Sequence, residues 1–164
     1  MRIAASKLMN LSDMQRVREQ LRTAGRTLVF TNGCFDLLHA GHVSYLEFAR
    51  RQGDALLVGV NSDESVRRLK GPTRPINPEA QRTLVLAALE CVDYVMVFGE
   101  DEPAELIKAI TPDVLVKGAD WAHYVSGREW VEQHGGRVVL APLVEGLSST
   151  RMIERMRGEI RNVL

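Results

Sequence analysis

Short apolar runs alternate along the chain with longer stretches in which apolar positions recur every three or four residues. The runs are TLVFTN at 27–32, ALLVGVN at 55–61, YVMVF at 94–98, DVLVK at 113–117 and RVVLAP at 137–142. Continuous apolar runs rich in β-branched residues are typical of strands that are buried on both faces. The stretches between them predict amphipathic helices, which begin near Gly41, Ser62, Pro78, Glu102, Ser126 and Ser148.

Local signals predict where two of the helices begin. Ser12 followed by Gln15 predicts a capping box at the start of a first helix, which Gly25 would end. Asn77 before Pro78 predicts an N-cap followed by a proline at the first helical position. The first of these helices precedes the first apolar run.

The regular order of strand and helix predicts an α/β fold of the Rossmann-like, doubly wound type. Its core is expected to be a five-stranded parallel sheet with helices on both faces. Residues 1–26 are interpreted as an N-terminal helical preface, and residues 27–164 as one domain. Because such sheets bind ligands beyond the carboxyl ends of their strands, the chemistry is expected in the loops that follow the strands.

Composition narrows the possible partners. The chain has 164 residues, 45% of them hydrophobic, so it can bury a core of ordinary size. Its 21 basic and 21 acidic side chains cancel, which argues against nucleic acid or an anionic membrane as a partner. Two cysteines are too few for a disulfide framework, and no apolar segment resembles a signal peptide or a membrane span. A soluble cytoplasmic protein is expected.

The first strand leads directly into TNGCFDLLHAGH at 31–42, so several polar residues fall between a strand end and a helix start. A helix N-terminus offers free N–H groups and partial positive charge, which favour a bound phosphate. His39 and His42 are three residues apart, and both imidazoles can therefore point the same way. Gly41 between them allows a phosphate chain to approach the backbone closely.

Two other interpretations of this loop remain open. Either histidine alone could be a packing residue or a simple cap. Cys34, His39 and His42 could also form a metal site, although no fourth ligand follows at a spacing usual for zinc.

A second loop, RRLKGPTRPINP, carries Lys70 and Arg74 on either side of a Gly-Pro turn. As cations on a mobile loop, Lys70 could bind phosphate oxygens as a point charge, and Arg74 could hold a second phosphate as a fork. The plain alternative is an ordinary solvated basic loop.

Two later loops offer further candidates. In VKGADW at 116–121, Gly118 permits close backbone approach and Asp120 could accept hydrogen bonds from ribose or sugar hydroxyls, although the segment could be a plain turn. In VEGLSST at 144–150, Ser148, Ser149 and Thr150 stand just before a predicted helix. Hydroxyl side chains at that position commonly cap the helix. Alternatively, together with the helix N–H groups, they could form a second phosphate site opposite the histidines.

The motifs TNGCFDLLHAGH and, nearly a full domain later, EGLSST resemble the HxGH nucleotidyltransferase family. The marks of that family are T-x-G-x-F-D-x-x-H-x-G-H and E-G-x-S-[ST]-T, and the resemblance covers about residues 27–157. The segments FTNGCFDLLHAGHVSYL, VNSDESVRRLKGPTRPINPEAQR and LVKGAD are most similar to adenylyltransferases that convert D-glycero-β-D-manno-heptose 1-phosphate to ADP-heptose for bacterial lipopolysaccharide.

This resemblance implies a reaction between ATP and a sugar 1-phosphate, in which the acceptor phosphate attacks the α-phosphorus in line and pyrophosphate leaves. Mg²⁺ carried by the triphosphate is the expected cofactor, without a set of metal ligands from the protein. The implied catalytic residues are His39, His42 and Lys70. The implied nucleotide-binding residues are Thr31, Asn32, Gly33, Cys34, Phe35, Gly41, Lys117, Gly118, Asp120, Glu145, Ser148, Ser149 and Thr150. The implied substrate-binding residues are Asp36, Asn61 and Arg74.

One departure from the family pattern bears on the donor. In related cytidylyltransferases arginine and threonine precede the late glutamate, whereas here Leu143 and Val144 stand there, which argues against a cytidylyl donor. The alternatives are a cytidylyltransferase for glycerol 3-phosphate or a phosphorylated amino alcohol, and a non-catalytic nucleotide-binding domain. In many bacteria the heptose enzyme is fused behind a sugar kinase, for which this chain has no room, so a free-standing form supplied by a separate kinase and phosphatase is expected. The resemblance also implies a homo-oligomer, with an interface on the first helix or on residues 92–98.

Overall fold

A computed structural model describes residues 2–142 and 148–158. In these residues the chain forms a five-stranded parallel sheet with strand order β3-β2-β1-β4-β5. The strands are β1 (Leu28–Gly33), β2 (Ala55–Asn61), β3 (Tyr94–Phe98), β4 (Val114–Gly118) and β5 (Arg137–Ala141). The predicted fold class and all five predicted strands are confirmed, with bounds that differ by at most one residue.

Seven α-helices connect or flank the strands of the described chain. They are α1 (Leu11–Thr23), α2 (Ala40–Arg50), α3 (Asp63–Lys70), α4 (Glu79–Ala88), α5 (Ala104–Ile110), α6 (Arg128–Gln133) and α7 (Ser149–Met156). In the described residues, no helix combines the length and the apolar character needed to cross a membrane.

Two predicted helix starts are wrong by a small shift. The N-cap of α1 is Asn10, whose side chain accepts the N–H of Asp13, and the predicted capping residue Ser12 lies inside the helix. The N-cap of α4 is Pro78 rather than Asn77. In both places the chain offers neighbouring residues that suit a helix start, and tertiary contacts decide between them.

Helices cover both faces of the sheet, as predicted. On one face α1, α5 and α6 pack against Leu28, Phe30 and Leu57, which alternate along their strands with residues facing the other way. On the opposite face α2 and α4 pack against a second apolar cluster that includes Val29 and Val58. Each strand thus contributes to two cores, which explains why its sequence is apolar at consecutive positions.

The N-terminal segment is part of this packing. Met14 and Leu21 of α1 belong to the same core cluster as β1, and Arg18 pairs with Asp113 just before β4 at 2.7 Å. Ahead of α1, the chain runs beside β3, where the N–H of Met9 donates to the carbonyl oxygen of Val95. Residues of the predicted preface are therefore integral to the core of the domain.

The connections create a topological switch point at β1. From β1 the chain winds in one direction to β2 and β3, and in the other direction β1 is bordered by β4 and β5. The loops that follow β1 and β4 consequently diverge to opposite faces and leave a crevice at the carboxyl edge of the sheet.

Candidate functional site

A cavity of about 500 Å³ lies at this edge, next to the carboxyl ends of β1, β2 and β4. It brings together most of the residues that the sequence predicted for the site. Those that line it are Asn32, Gly33, Cys34, Phe35, His39, Gly41, His42, Asn61, Lys70, Lys117, Gly118 and Asp120. Lining residues that the sequence analysis missed include Tyr45, Asp101, Glu102, Trp121, Tyr124 and Ser126.

The two histidines stack on each other at the start of α2. Their ring centroids lie 3.9 Å apart with an interplanar angle of 27°. His39 is the N-cap residue with an extended backbone, and its N–H donates to Nδ1 of His42 at 3.4 Å. Because Nδ1 of His42 accepts, the proton of a neutral His42 ring resides on Nε2.

Burial keeps this pair uncharged near neutral pH. Desolvation, together with the neighbouring His39, lowers the pKa of His42 to about 4, and desolvation also lowers the pKa of His39. Nδ1 of His39 is buried without a hydrogen-bond partner in the described residues. The pair can therefore offer hydrogen bonds to phosphate oxygens from neutral rings at a helix N-terminus.

Phe35 shapes the turn between β1 and α2. It has a positive φ of 46°, a conformation that is uncommon for a bulky side chain outside functional or strained turns. Its ring lies 5.5 Å from that of His42, and a Cβ added at Gly33 would come within 3.1 Å of the Phe35 ring. Gly33 and Phe35 together fix the path that brings the histidines over the cavity.

Asp36 and Arg74 bind each other and do not line the cavity. The Asp36 carboxylate is buried and accepts hydrogen bonds from Nε of Arg74 at 2.7 Å and from the N–H groups of Ile76 and Asn77. Burial alone would raise the pKa of Asp36, but these donors outweigh it and hold the pKa below its usual value. The structure thus shows an anchor between two loops, and contact of either residue with substrate stays a prediction.

Replacing Asp36 with Asn tests this anchor. Because the folded-state pKa is lowered, the charged carboxylate stabilises the fold at pH values above its unfolded pKa, and this contribution is lost as pH falls through the folded pKa. We expect Asp36→Asn to reduce the free energy of unfolding by roughly 1–3 kcal/mol at pH 7, and by less near pH 3. Urea unfolding at both pH values measures the difference, and an equal loss at both would contradict the assignment.

Arg82 is a buried residue that sequence reasoning missed. Its guanidinium donates to the carbonyl oxygens of Cys34 at 2.6 Å and Asn77 at 2.9 Å, and to the Asp63 carboxylate at 2.8 Å. Asp63 and Glu79 each accept the other's N–H, which joins the starts of α3 and α4. Arg82 of α4 thereby holds the backbone at Cys34, which lines the cavity, and at Asn77.

Lysines approach the cavity from two elements. Lys70 is the last residue of α3, so it projects from a helix end and not from the loop expected from the sequence. Lys117 lies in β4, where burial lowers its pKa to about 8 although Glu102, Asp120 and Cys34 oppose the shift. Its Nζ lies 5.7 Å from the centroid of the Trp121 ring.

Thr31 and the hydroxyl residues at the start of α7 do not line the cavity. Thr31 is buried, and its hydroxyl lies 2.6 Å from that of Tyr45, which donates to the carbonyl oxygen of Val116. Ser148 caps α7 by accepting the N–H of Arg151, and the Ser149 hydroxyl donates to the carbonyl oxygen of Leu37. A phosphate contact by Ser148, Ser149 or Thr150 stays a prediction, and Glu145 lies outside the described residues.

No three side chains of His, Cys, Asp or Glu converge as a metal site anywhere in residues 2–142 and 148–158. Within the cavity, Cys34 is half-buried, and burial raises the pKa of its thiol despite the nearby Lys70, Arg82 and Arg74. A thiol with a raised pKa is a poor metal ligand and a poor nucleophile near neutral pH.

Fold and site together define a doubly wound α/β domain in which a loop with two histidines leads from β1 into α2 at the switch point. A model of the family described as cytidylyltransferase-like matches residues 30–155, and the chain therefore belongs to the cytidylyltransferase-like family.

Curated relatives are longer than this chain. The bifunctional protein HldE of Syntrophotalea carbinolica is 55% identical over 152 residues, which make up 92% of this chain and 31% of the relative. HldE of Geotalea uraniireducens is 54% identical over 95% of this chain and 32% of the relative. The chain thus spans about a third of the length of these relatives.

Solved structures agree with this assignment. A lipopolysaccharide core biosynthesis protein from Thermoplasma volcanium superimposes with a TM-score of 0.60 at 28% identity, covering 73% of this chain and 98% of the other. A pantoate-beta-alanine ligase from Francisella tularensis, complexed with an ATP compound and beta-alanine, gives a TM-score of 0.61 at 17% identity over 93% of this chain and 78% of the other. The second likeness shows the fold alone.

Proposed function

We propose that the chain transfers the AMP moiety of ATP to D-glycero-β-D-manno-heptose 1-phosphate and releases pyrophosphate, yielding ADP-heptose for lipopolysaccharide core synthesis. The observation that carries the proposal is the stacked, neutral pair of His39 and His42 at the N-terminus of α2, facing a cavity that Lys70 also lines. A phosphate at this position meets hydrogen-bond donors, helix N–H groups and a cation together.

The reaction requires no nucleophile from the protein. An oxygen of the sugar phosphate forms a bond to the α-phosphorus while the bond from that phosphorus to the β-bridging oxygen breaks, and pyrophosphate takes the electron pair. His42 donates from Nε2 to the α-phosphate oxygens on which charge accumulates. His39 and Lys70 stabilise the negative charge on the same phosphate. Gly41 leaves space for the phosphate chain next to the backbone.

Mg²⁺ is proposed to arrive with the triphosphate. The cavity carries carboxylates at Asp101, Glu102 and Asp120, and the ion is proposed to be held mainly by phosphate and water. Bound in this way, Mg²⁺ would neutralise part of the triphosphate charge. The side chains of the protein would then orient the α-phosphate and the acceptor.

Two comparisons support the sugar and the pathway. Relatives more than half identical over nearly the whole chain carry the name HldE, and a 28%-identical structure bears the description of a lipopolysaccharide core biosynthesis protein. The segments after β1, β2 and β4 resemble heptose 1-phosphate adenylyltransferases, and these are the segments that line the cavity. We further propose a cytoplasmic location and a homo-oligomeric state, as in the resembled family.

A cytidylyltransferase acting on glycerol 3-phosphate or a phosphorylated amino alcohol is the competing function, since the family is described as cytidylyltransferase-like. The pair Leu143 and Val144, in place of arginine and threonine, argues against it. A non-catalytic binding domain is disfavoured because the neutral histidine pair and Lys70 converge on one cavity, which goes beyond what nucleotide affinity requires.

Pyrophosphate release tests the proposal. The chain is incubated with Mg²⁺ and β-heptose 1-phosphate together with ATP, CTP or GTP, and glycerol 3-phosphate serves as the competing acceptor. We expect release only with ATP and the heptose phosphate. Release only with CTP and glycerol 3-phosphate would keep the mechanism and overturn the substrate assignment, whereas binding without release under all conditions would favour the non-catalytic alternative.

A further inference from the structure

The strands β1 and β4 separate before either of them ends. Their mutual pairing stops at Phe30 and Leu115. In contrast, β1 stays paired with β2 up to Gly33, and β4 stays paired with β5 up to Gly118. In the described sheet, the last three residues of β1 and of β4 are therefore unpaired across the gap between these two strands. Gly33 and Gly118 both line the cavity, so the gap borders it.

Tyr45 of α2 bridges the two strands where the gap begins. Its hydroxyl donates to the carbonyl oxygen of Val116 at 3.2 Å and lies 2.6 Å from Oγ1 of Thr31. Thr31 and Val116 are the first residues beyond the last pair of β1 and β4. Because a tyrosine hydroxyl has a single proton, which Val116 accepts here, the Thr31 hydroxyl is the donor of the shorter bond. One side chain of α2 thereby joins three elements of the fold.

The bridge is shielded from water. Thr31 and Val116 are both 0% exposed, so bulk water does not reach either partner, and loss of the Tyr45 hydroxyl would leave buried polar groups unsatisfied. Burial raises the pKa of Tyr45 to about 12 against the opposing effect of the hydrogen bond with Thr31, and Asp120 adds to the increase. Tyr45 therefore remains a neutral donor near pH 7.

The bridge also holds the part of α2 that carries the histidines. Tyr45 follows His42 by three residues, so the two side chains lie on one face of the helix, one turn apart. Among the described residues, no other side chain in the first two turns of α2 hydrogen-bonds to the sheet. The distance of the stacked histidine pair from the ends of β1 and β4 therefore depends on Tyr45.

We propose that Tyr45 is a positioning residue for the adenylyl transfer, because it fixes the N-terminus of α2 and its histidine pair relative to β1 and β4. The proposal rests on the proposed function. Tyr45 acts through His39 and His42 and not on the substrate, since its hydroxyl already donates to Val116 and accepts from Thr31. Thr31, for which the family resemblance implies nucleotide binding, contributes its hydroxyl to the same bridge.

Such a residue should affect the chemical step more than binding. The transition state requires the histidine donors at one position relative to the α-phosphate, and a displacement of about 1 Å can cost about 10²-fold in rate. Ground-state binding to helix N–H groups and Lys70 tolerates a small displacement better. Loss of the bridge should therefore lower kcat and leave KM nearly unchanged.

Steady-state kinetics of Tyr45→Phe, followed through pyrophosphate release, tests the proposal. The substitution removes the hydroxyl and keeps the ring. Tyr94→Phe is the matched control, because Tyr94 begins β3 and does not line the cavity. We expect Tyr45→Phe to lower kcat roughly 10–100-fold, with less than about a threefold change in the KM of ATP and of the heptose phosphate. Tyr94→Phe should leave kcat unchanged.

Variants of Thr31 separate positioning from a general loss of packing. Thr31→Val keeps a branched side chain and removes the donor, so it should also lower kcat, whereas Thr31→Ser keeps the hydroxyl and should retain kcat. Because both residues act through one bridge, the double variant Tyr45→Phe/Thr31→Val should lose no more than Tyr45→Phe alone. Independent, multiplicative losses would overturn the proposal.

Nuclear magnetic resonance of the imidazole nitrogens tests the same proposal without turnover. The signals of His39 and His42 should shift in Tyr45→Phe and stay in place in Tyr94→Phe, while thermal unfolding shows that the variants are folded. If Tyr45→Phe does not fold, Thr31→Val is used for the same measurements. Unchanged kcat, unchanged histidine signals or a loss that appears in KM would overturn the proposal. A wild-type protein that releases no pyrophosphate would overturn the proposed function, and the histidine signals would still decide whether Tyr45 positions the pair.

Discussion

Replacing His39 with Ala should lower kcat by roughly 10²–10³-fold, because it removes a preorganised contact to the oxygens that gain charge in the transition state. Affinity for Mg–ATP should change less than threefold, since the helix N-terminus and the lysines remain. Pyrophosphate release under saturating substrates measures kcat, and calorimetry measures the affinity.

The matched control is His134→Ala, which removes an imidazole that also stacks on a ring, that of Trp130, but lies outside the cavity. This control should leave kcat unchanged. If His39→Ala weakened ATP binding as strongly as it slowed turnover, His39 would act in binding rather than in the chemical step. That result would also remove the main argument against a non-catalytic domain.

Replacing Arg82 with Met should reduce the free energy of unfolding by about 3 kcal/mol or more. The side chain is fully buried. Its removal takes the guanidinium away from the carbonyl oxygens of Cys34 and Asn77 and leaves the Asp63 carboxylate with the N–H of Glu79 but without its cationic partner. Urea unfolding monitored by far-UV circular dichroism measures the loss.

Arg16→Met serves as the control for Arg82→Met, because Arg16 forms an exposed i,i+3 pair with Asp13 on α1. Such pairs contribute about 0–1 kcal/mol, so its unfolding transition should hardly move. A similar small change in Arg82→Met would show that water replaces the guanidinium without cost, and that the network around Cys34 is not a major source of stability.

The elements that could be predicted from the sequence are those specified by local pattern. The five strands are apolar at consecutive positions because both faces of the sheet are covered, and this pattern is visible without a structure. The position of both histidines at the N-terminus of α2 could also be predicted, because the HxGH motif lies between a strand and a helix. The cap of α1 was misplaced because Asn10 and Ser12 are both suitable N-caps only two residues apart.

The residues that could not be assigned depend on contacts between distant segments. The ion pair between Asp36 and Arg74, which lie 38 residues apart, could not be predicted from the sequence, and substrate binding by either residue stays a prediction. Arg82 could not be singled out because arginine is rarely buried, and only the positions of Cys34, Asn77 and Asp63 explain its burial. The Ser149 hydroxyl similarly meets the backbone of Leu37 across 112 residues.

The strand formed by Tyr94–Phe98 ends the sheet on one side, and the chain itself lies along that border. Leu8 bridges to Val95, the N–H of Met9 donates to its carbonyl oxygen, and Lys7 secures the same segment through the carbonyl oxygens of Leu89 and Val92. The outer hydrogen-bonding groups around Val95 are therefore already used. A second copy of the chain could therefore not extend the sheet at Val95 by adding a strand. Self-association through residues 92–98 would have to use contacts between side chains.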